Sequence, residues 1–224
     1  MAISIGVDIG GTFTDVVALE TTTGELTVTK VPSTAPDYAE GFWQGINKII
    51  KMAGASAGDI VRLIHGTTVA TNSILEHKGT KIGVLTTEGF EGTLIMGRWF
   101  RSEMYNVFLE PETPTFLCPR HRIIGIKERL DPLGHVLIPL NESSVIEAVD
   151  SLVQRHGVQA IAVSYLFSYV NPVHEQRTEQ VIRARYPNIR VSISSTVNPR
   201  FREYERTVIT AFDAYVGPVM EKYI

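Results

Sequence analysis

The segment GVDIGGTFTD, residues 6–15, sets a carboxylate, Asp8, at the end of an alternating β-branched run. Two glycines, Gly10 and Gly11, and two threonines, Thr12 and Thr14, follow it. Glycines allow a polyphosphate to approach the backbone closely. Successive backbone N–H groups and threonine hydroxyls can hold anionic oxygens. A carboxylate in this position can hold Mg²⁺, usually through water. A plain hairpin with a Gly-Gly turn is the competing account. It leaves unexplained an aspartate buried at a strand end beside threonine-rich polar edges, so nucleotide phosphate binding is the preferred reading. There is no G-x-x-x-x-G-K-[ST] and no G-x-G-x-x-G, the fingerprints of P-loop and Rossmann sites.

A second polar stretch, HGTTVATN at residues 65–72, falls where a strand gives way to a helix. Such a junction presents free N–H groups to an anion or a carbonyl oxygen. Thr67 or Thr68 equally fits a helix cap, and His65 alone fits a satisfied core histidine. The density of polar groups at the carboxyl end of a strand favours a site, because ligands of α/β sheets bind there. A third stretch, REYERT at 202–207, spaces Arg202 from Glu205 and Glu203 from Arg206 for ion pairs on a helix surface. The remaining histidines show no paired metal spacing. No Gly-x-Ser-x-Gly elbow appears, which argues against a serine hydrolase.

These residues need elements to place them. Residues 3–9 and 13–19 read as strands flanking the Gly10-Gly11 turn, a pair that suits a primed turn with positive φ. A turn at 21–24 and a strand at 25–31 complete an antiparallel meander. Helical spacing then covers 37–52, with Asp37 as N-cap. Strands at 60–64 and 81–85 flank a helix at 68–77. A short helix at 90–95 and a long loop at 97–120 follow. Residues 123–129 and 135–138 read as a hairpin turning near 131–134. A helix at 142–156, a buried strand at 160–166, a helix opened by Asn171-Pro172 and a strand at 190–194 come next. Asn198-Pro199 opens a long amphipathic helix that Pro218 should disturb, a candidate hinge. The order β-β-β-α-β-α-β with a Gly-Gly turn is similar to the ribonuclease H-like fold of actin-type ATPases. The expected fold class is therefore α/β, with a mixed sheet and helices on both faces.

Composition narrows the classes. The chain has 224 residues, a net charge of −3 and no Lys/Arg cluster, so nucleic acid is not an expected partner. Its one cysteine, Cys118, excludes an intramolecular disulfide and a cysteine zinc site. A cytoplasmic setting is expected. The N-terminus lacks a basic n-region and a long apolar stretch. The longest apolar run, near 160–167, is far short of the ~20 residues of a membrane helix.

Together, the stretches GVDIGGTFTDVV, HGTTVATNSILEHKGTKIGVLTTEGFE, IKERLDPLGHVLIPL, SYLFSYVNPVHEQR and REYERT with AYVGPVMEKY resemble the N-terminal region of the hydantoinase A / 5-oxoprolinase family. That family includes ATP-dependent hydrolases of cyclic amides and subunits of acetone and acetophenone carboxylases. The resemblance implies ATP and Mg²⁺ as cofactors, a cyclic amide or related substrate, and a hydantoinase B type partner in a hetero-oligomer. It implies Asp8 at Mg²⁺ or its water, and Gly10, Gly11, Thr12 and Thr14 at the phosphates. His65, with Asp8, would serve the chemistry. Thr67, Thr68 and Asn72 would line the substrate side, with Arg98, where the family often has a Gly-Arg pair, facing substrate or phosphate. Asp213 stands where the family usually has Asn. No second D-x-G-[GST] segment follows Asp8, so the chain reads as one half of a two-domain ATPase. Residues 1–198 form the N-terminal domain and 199–224 begin a connecting helix. A carboxylase subunit is the first alternative, and a sugar-type kinase or non-catalytic nucleotide sensor the second.

Overall fold

The computed structural model describes residues 1–34, 38–98, 100, 102–109 and 113–221. The described residues form two compact units: Met1–Lys78 with Met220 and Glu221, and Gly79–Val219. The second unit is thus an insertion in the first. It divides the 1–198 stretch at Lys78 and takes most of 199–224 with it. Its two ends are tied together inside it, since Thr80 N–H donates to the Tyr215 carbonyl at 2.9 Å. Among the described residues no helix is long and apolar enough to cross a membrane.

In the first unit, β1 (Ile3–Ile9), β2 (Phe13–Glu20) and β3 (Leu26–Pro32) form the expected antiparallel meander. Helix α1 (Tyr38–Met52) leads to β4 (Ile60–Thr67), which runs parallel to β1, and then to α2 (Val69–Leu75). The strand order β3-β2-β1-β4 is that of a ribonuclease H-like sheet. Alternation decides its faces: Ile3, Ile5, Val7 and Ile9 are buried, with Val16, Ala18, Ile46 and Ile49. The opposite face carries Asp8, Asp15 and Val28 and is open. Asp37, read as the cap of α1, lies outside the described residues.

Gly10 and Gly11 do not form a primed two-residue turn. The connection spans three residues, Gly10 to Thr12, and neither glycine has positive φ. Space explains the glycines instead. A Cβ on Gly11 would stand 3.0 Å from Asn72 Nδ2, and one on Gly10 would stand 3.0 Å from the Phe13 carbonyl.

The second unit centres on β5 (Ile82–Thr87). Helix α3 (Thr93–Met96) and β6 (Ile123–Ile126) follow, then a small hairpin of β7 (Arg129–Leu130) and β8 (Val136–Ile138). Then come α4 (Glu142–Asp150), β9 (Ala160–Ser164), α5 (Val173–Arg185), β10 (Arg190–Ile193), α6 (Ser194–Val197) and α7 (Glu203–Glu221). The sheet order β10-β9-β5-β6 is parallel throughout. β5 and β9 are buried along their whole length, as strands covered on both faces must be. Helices α4 and α5 cover one face through Val145, Val149 and Ile182, and α7 covers the other through Ala211, Ala214 and Tyr215.

Several boundaries differ from the sequence expectation. The 123–129 run divides: Ile123 and Ile126 are buried in the parallel sheet, and only Arg129–Leu130 turns back against β8. The last turn of the helix after Glu142 widens to a π-type turn at Ser151–Arg155. Asn198 closes α6 rather than opening α7, which begins at Glu203 after Arg202 takes a φ of 86°. Pro172, not Asn171, holds the cap position of α5, while Asn171 Oδ1 accepts from Val173 N–H at 3.1 Å. Helix α7 runs through Pro218 to Glu221, although Pro218 offers the carbonyl one turn back no donor.

Candidate functional site

The hairpin site forms where the carboxyl ends of β1 and β4 lie side by side. Asp8 pairs across the ladder with Gly66 on one side and Asp15 on the other. Paired residues point to the same face, so Asp8 and Asp15 share the open face. Asp8 is exposed, not buried as expected. Its carboxylate has no hydrogen bond or ion pair among the described residues. Gly66 leaves the space beside it open, since a Cβ there would stand 3.7 Å from Asp8 Oδ1. Asp15 Oδ1 lies 3.1 Å from Lys30 Nζ.

The loop of Gly10, Gly11 and Thr12 rises beside this carboxylate. Ser33 fastens it from behind: its hydroxyl donates to the Gly10 carbonyl at 2.8 Å and its N–H to the Thr12 carbonyl at 2.9 Å. Thr14, expected at a phosphate, is fully buried and bonds Ser33 Oγ at 3.0 Å. It braces the loop because β2 alternation turns it inward. Gly11 and Thr12 are exposed, and their N–H groups make no backbone hydrogen bond among the described residues.

The β4–α2 junction is stitched to the end of β1. Thr68 N–H donates to the Ile9 carbonyl at 3.1 Å, and the hydroxyls of Thr67 and Thr68 both lie 3.4 Å from that carbonyl. Thr67 Oγ1 accepts from Val69 N–H at 3.1 Å. Thr68 sits at the cap position without capping through its side chain. Asn72 reaches Thr68 Oγ1 at 3.4 Å and lies against Gly11. Thr67, Thr68 and Asn72 are therefore gathered at the loop.

His65 is not gathered with Asp8. Gly66 pairs with Asp8, so the period of two places His65 with Val7 on the other face. There its ring lies 5.5 Å from that of Phe42 on α1. Arg98 belongs to the second unit, where its Nε lies 2.7 Å from Glu205 Oε1. Sequence reasoning missed Asp15, Ser33 and Gly66. Register would have found Asp15 and Gly66, since both are ladder partners of Asp8.

Among the described residues no group of three or more His, Cys, Asp or Glu is placed to hold a metal. Unpartnered Asp8 with Asp15 nearby fits Mg²⁺, which keeps several waters and takes one or two carboxylates. The set does not fit zinc, which needs nitrogen or sulfur ligands.

The second unit holds a polar cluster of a different kind. Arg206, read as a surface ion-pair partner, is fully buried. It donates to Ser168 Oγ, to Ser194 Oγ at 3.2 Å and to the Tyr165 carbonyl at 2.8 Å, with Glu203 Oε1 at 3.8 Å. Burial lowers its pKa, and Glu175 and then Glu203 oppose the shift. Glu175, also buried, accepts from Ser194 Oγ at 2.6 Å, Ser195 N–H at 2.7 Å and Tyr165 N–H at 2.9 Å. Beside it Glu128 accepts from Thr87 Oγ1 and lies 2.7 Å from His174 Nδ1. Asp213 accepts from Ser192 Oγ at 2.6 Å and Arg190 at 3.1 Å, contacts that occupy its second oxygen.

Residues 4–186 match the family described as the hydantoinase/oxoprolinase N-terminal region. The acetophenone carboxylase gamma subunit of Aromatoleum aromaticum is 36% identical over 99% of this chain and 32% of its own length. The ATP-dependent caprolactamase structure from Pseudomonas jessenii superposes with a TM-score of 0.83 at 34% identity, covering 98% of this chain and 32% of that one. The nucleotide-free acetone carboxylase structure gives 0.84 at 26% identity, covering 99% and 33%. The chain spans about a third of the length of these relatives.

Proposed function

The chain belongs to the hydantoinase/oxoprolinase N-terminal family, and on that premise we propose that it is the nucleotide-phosphate-binding portion of an ATP-dependent cyclic amide hydrolase. One observation carries the reading: Asp8, without a partner among the described residues, stands on an open sheet face beside a glycine loop whose Gly11 and Thr12 N–H groups make no hydrogen bond there. Gly11 and Thr12 N–H groups receive phosphate oxygens. Ser33 and Thr14 hold the loop that presents them. Asp8, with Asp15, would hold Mg²⁺ or its waters, and the ion would supply charge neutralisation. Thr68 and Asn72 form the polar floor beside the loop.

The chemistry suits a poor electrophile. The γ-phosphoryl passes from ATP to the amide oxygen and ADP leaves. One water then attacks the carbon and the C–N bond breaks, freeing the amine and leaving an acyl phosphate, which a second water hydrolyses to carboxylate and phosphate. The protein contributes position and electrostatics. A larger polypeptide or a hydantoinase B type partner completes the enzyme, in keeping with the relatives' greater length.

In the complete enzyme with its partner subunit, Asp8→Asn should lower substrate-dependent ADP release at least ~100-fold. Unfolding free energy of the chain should change by less than ~0.5 kcal/mol, because Asp8 is exposed and unpartnered. Retained ATP turnover removes the metal role. The 36% identity to a carboxylase subunit supports a second reading, a ketone carboxylase subunit. Incubation with ATP and a hydantoin or lactam, against ATP with a ketone and bicarbonate, separates the two by product.

A further inference from the structure

The second unit contains a cleft of about 720 Å³ that the nucleotide reading does not use. Gly89 and Phe90, just past the end of β5, line it, as do Leu166 and Phe167, just past the end of β9. The carboxyl edge of a parallel sheet is where ligands of open α/β sheets bind. The volume falls in the range of ~300–1,000 Å³ typical of small-molecule sites. Two of the three described non-glycine residues with positive φ, Phe167 at 57° and Arg202 at 86°, stand on its wall. Such conformations persist where surrounding structure enforces them, and they cluster at ligand sites.

The charges of the wall specify a ligand. Glu205 is occupied by Arg98 at 2.7 Å and by Arg202 at 3.9 Å. Glu203 faces buried Arg206 at 3.8 Å. Arg129 also lines the cleft, with its guanidinium 5.0 Å over the Phe90 ring. Glu205 is shared by Arg98 and Arg202, and Arg129 is the wall arginine with no carboxylate within ion-pair distance among the described residues. Its side-chain N–H groups make no hydrogen bond among the described residues, so its planar fork of donors is left for a bidentate acceptor. The other walls are largely apolar and aromatic, with Phe167, Phe201 and Tyr204.

We propose that this cleft binds a small monocarboxylate with an aromatic or bulky aliphatic body, its carboxylate on Arg129 and its body among the aromatic walls. Arg98, Arg129 and Arg202 against Glu203 and Glu205 leave the wall a net positive charge of one, which matches a monoanion, and apolar walls reject a strongly hydrated ion such as phosphate.

Calorimetry on the 224-residue chain without nucleotide tests this, using 3-phenylpropionate, its primary amide and inorganic phosphate as probes. The acid should bind at millimolar concentration or below and the amide at least ~10-fold more weakly, with no heat from phosphate. Arg129→Met should bring the acid down to the level of the amide, and Arg129→Lys should restore part of the difference. Met96→Trp, which fills the cleft from its rim, should abolish both. Near-ultraviolet circular dichroism checks that each variant is folded. Equal affinity for acid and amide, phosphate competing with the acid, an unchanged Arg129→Met, or no heat from 10 mM acid would each overturn the assignment. None of these outcomes depends on the ATP reading.

Discussion

The hairpin around Asp8 and the cluster around Arg206 use the same chemistry in opposite states. Both combine acids, hydroxyls and backbone groups at the carboxyl ends of parallel strands. At the hairpin the acid is exposed and unpartnered, and the hydroxyl groups bind the loop from behind. Around Arg206, buried Glu175, Ser194 and Ser168 are linked by hydrogen bonds that reach the guanidinium, while Arg206 Nε and Glu203 Oε1 have no hydrogen-bond partner among the described residues. A polar group in water can wait for a ligand at little cost, whereas one in the core must be satisfied at once. The difference separates a place for recognition from a structural tie.

The largest effect that can break this contrast is in stability. Arg206→Met should cost ~3–5 kcal/mol in urea unfolding, because buried Glu175, joined to Arg206 through Ser194 Oγ, loses the charge that faces it. A cost below ~1 kcal/mol would mean that the buried cluster is no tie. Chemical access to the second unit is next. Burial pushes the Cys118 thiol from 9.0 to about 12. The native thiol is therefore protonated where an unfolded one ionises. That preference contributes stability below about pH 9, and it is lost as pH rises toward 12. At pH 8 a disulfide reagent should modify native Cys118 at least ~10³-fold more slowly than the unfolded chain. Fast native labelling would show that the unit opens readily. The smallest effect lies on the open face. Asp15→Asn removes the exposed pair with Lys30, and the melt should move by less than ~0.5 kcal/mol and less still at 0.5 M salt. A larger loss would mean that the open face carries structural weight.

Legibility followed the same division. The meander, the buried strand near 160 and the glycine loop were readable because alternation and apolar runs are local signals. Thr67, Thr68 and Asn72 were gathered as their shared stretch implied. Asp8 and His65 were read together, but faces depend on register, and register placed Gly66 opposite Asp8. Thr14 looked like a ligand because hydroxyls do not announce which way a strand turns them. Arg206 was the deepest miss: i,i+3 spacing in REYERT describes a solvated helix equally well. Its burial comes from Ser168, Ser194 and the Tyr165 carbonyl, which lie 12 to 41 residues away. The break in the 123–129 run was equally non-local, since β6 follows β5 rather than its own chain neighbour.

The insertion of the second unit between Lys78 and Met220 has a consequence for heredity and engineering. Its ends meet at the bond between Thr80 and Tyr215, and any side chain at Gly79 would strike the Tyr215 ring. A module whose entrance and exit adjoin adds little loop-closure entropy to its host. Exchange of residues 79–219 for another segment should therefore leave the strand order of β1–β4 unchanged.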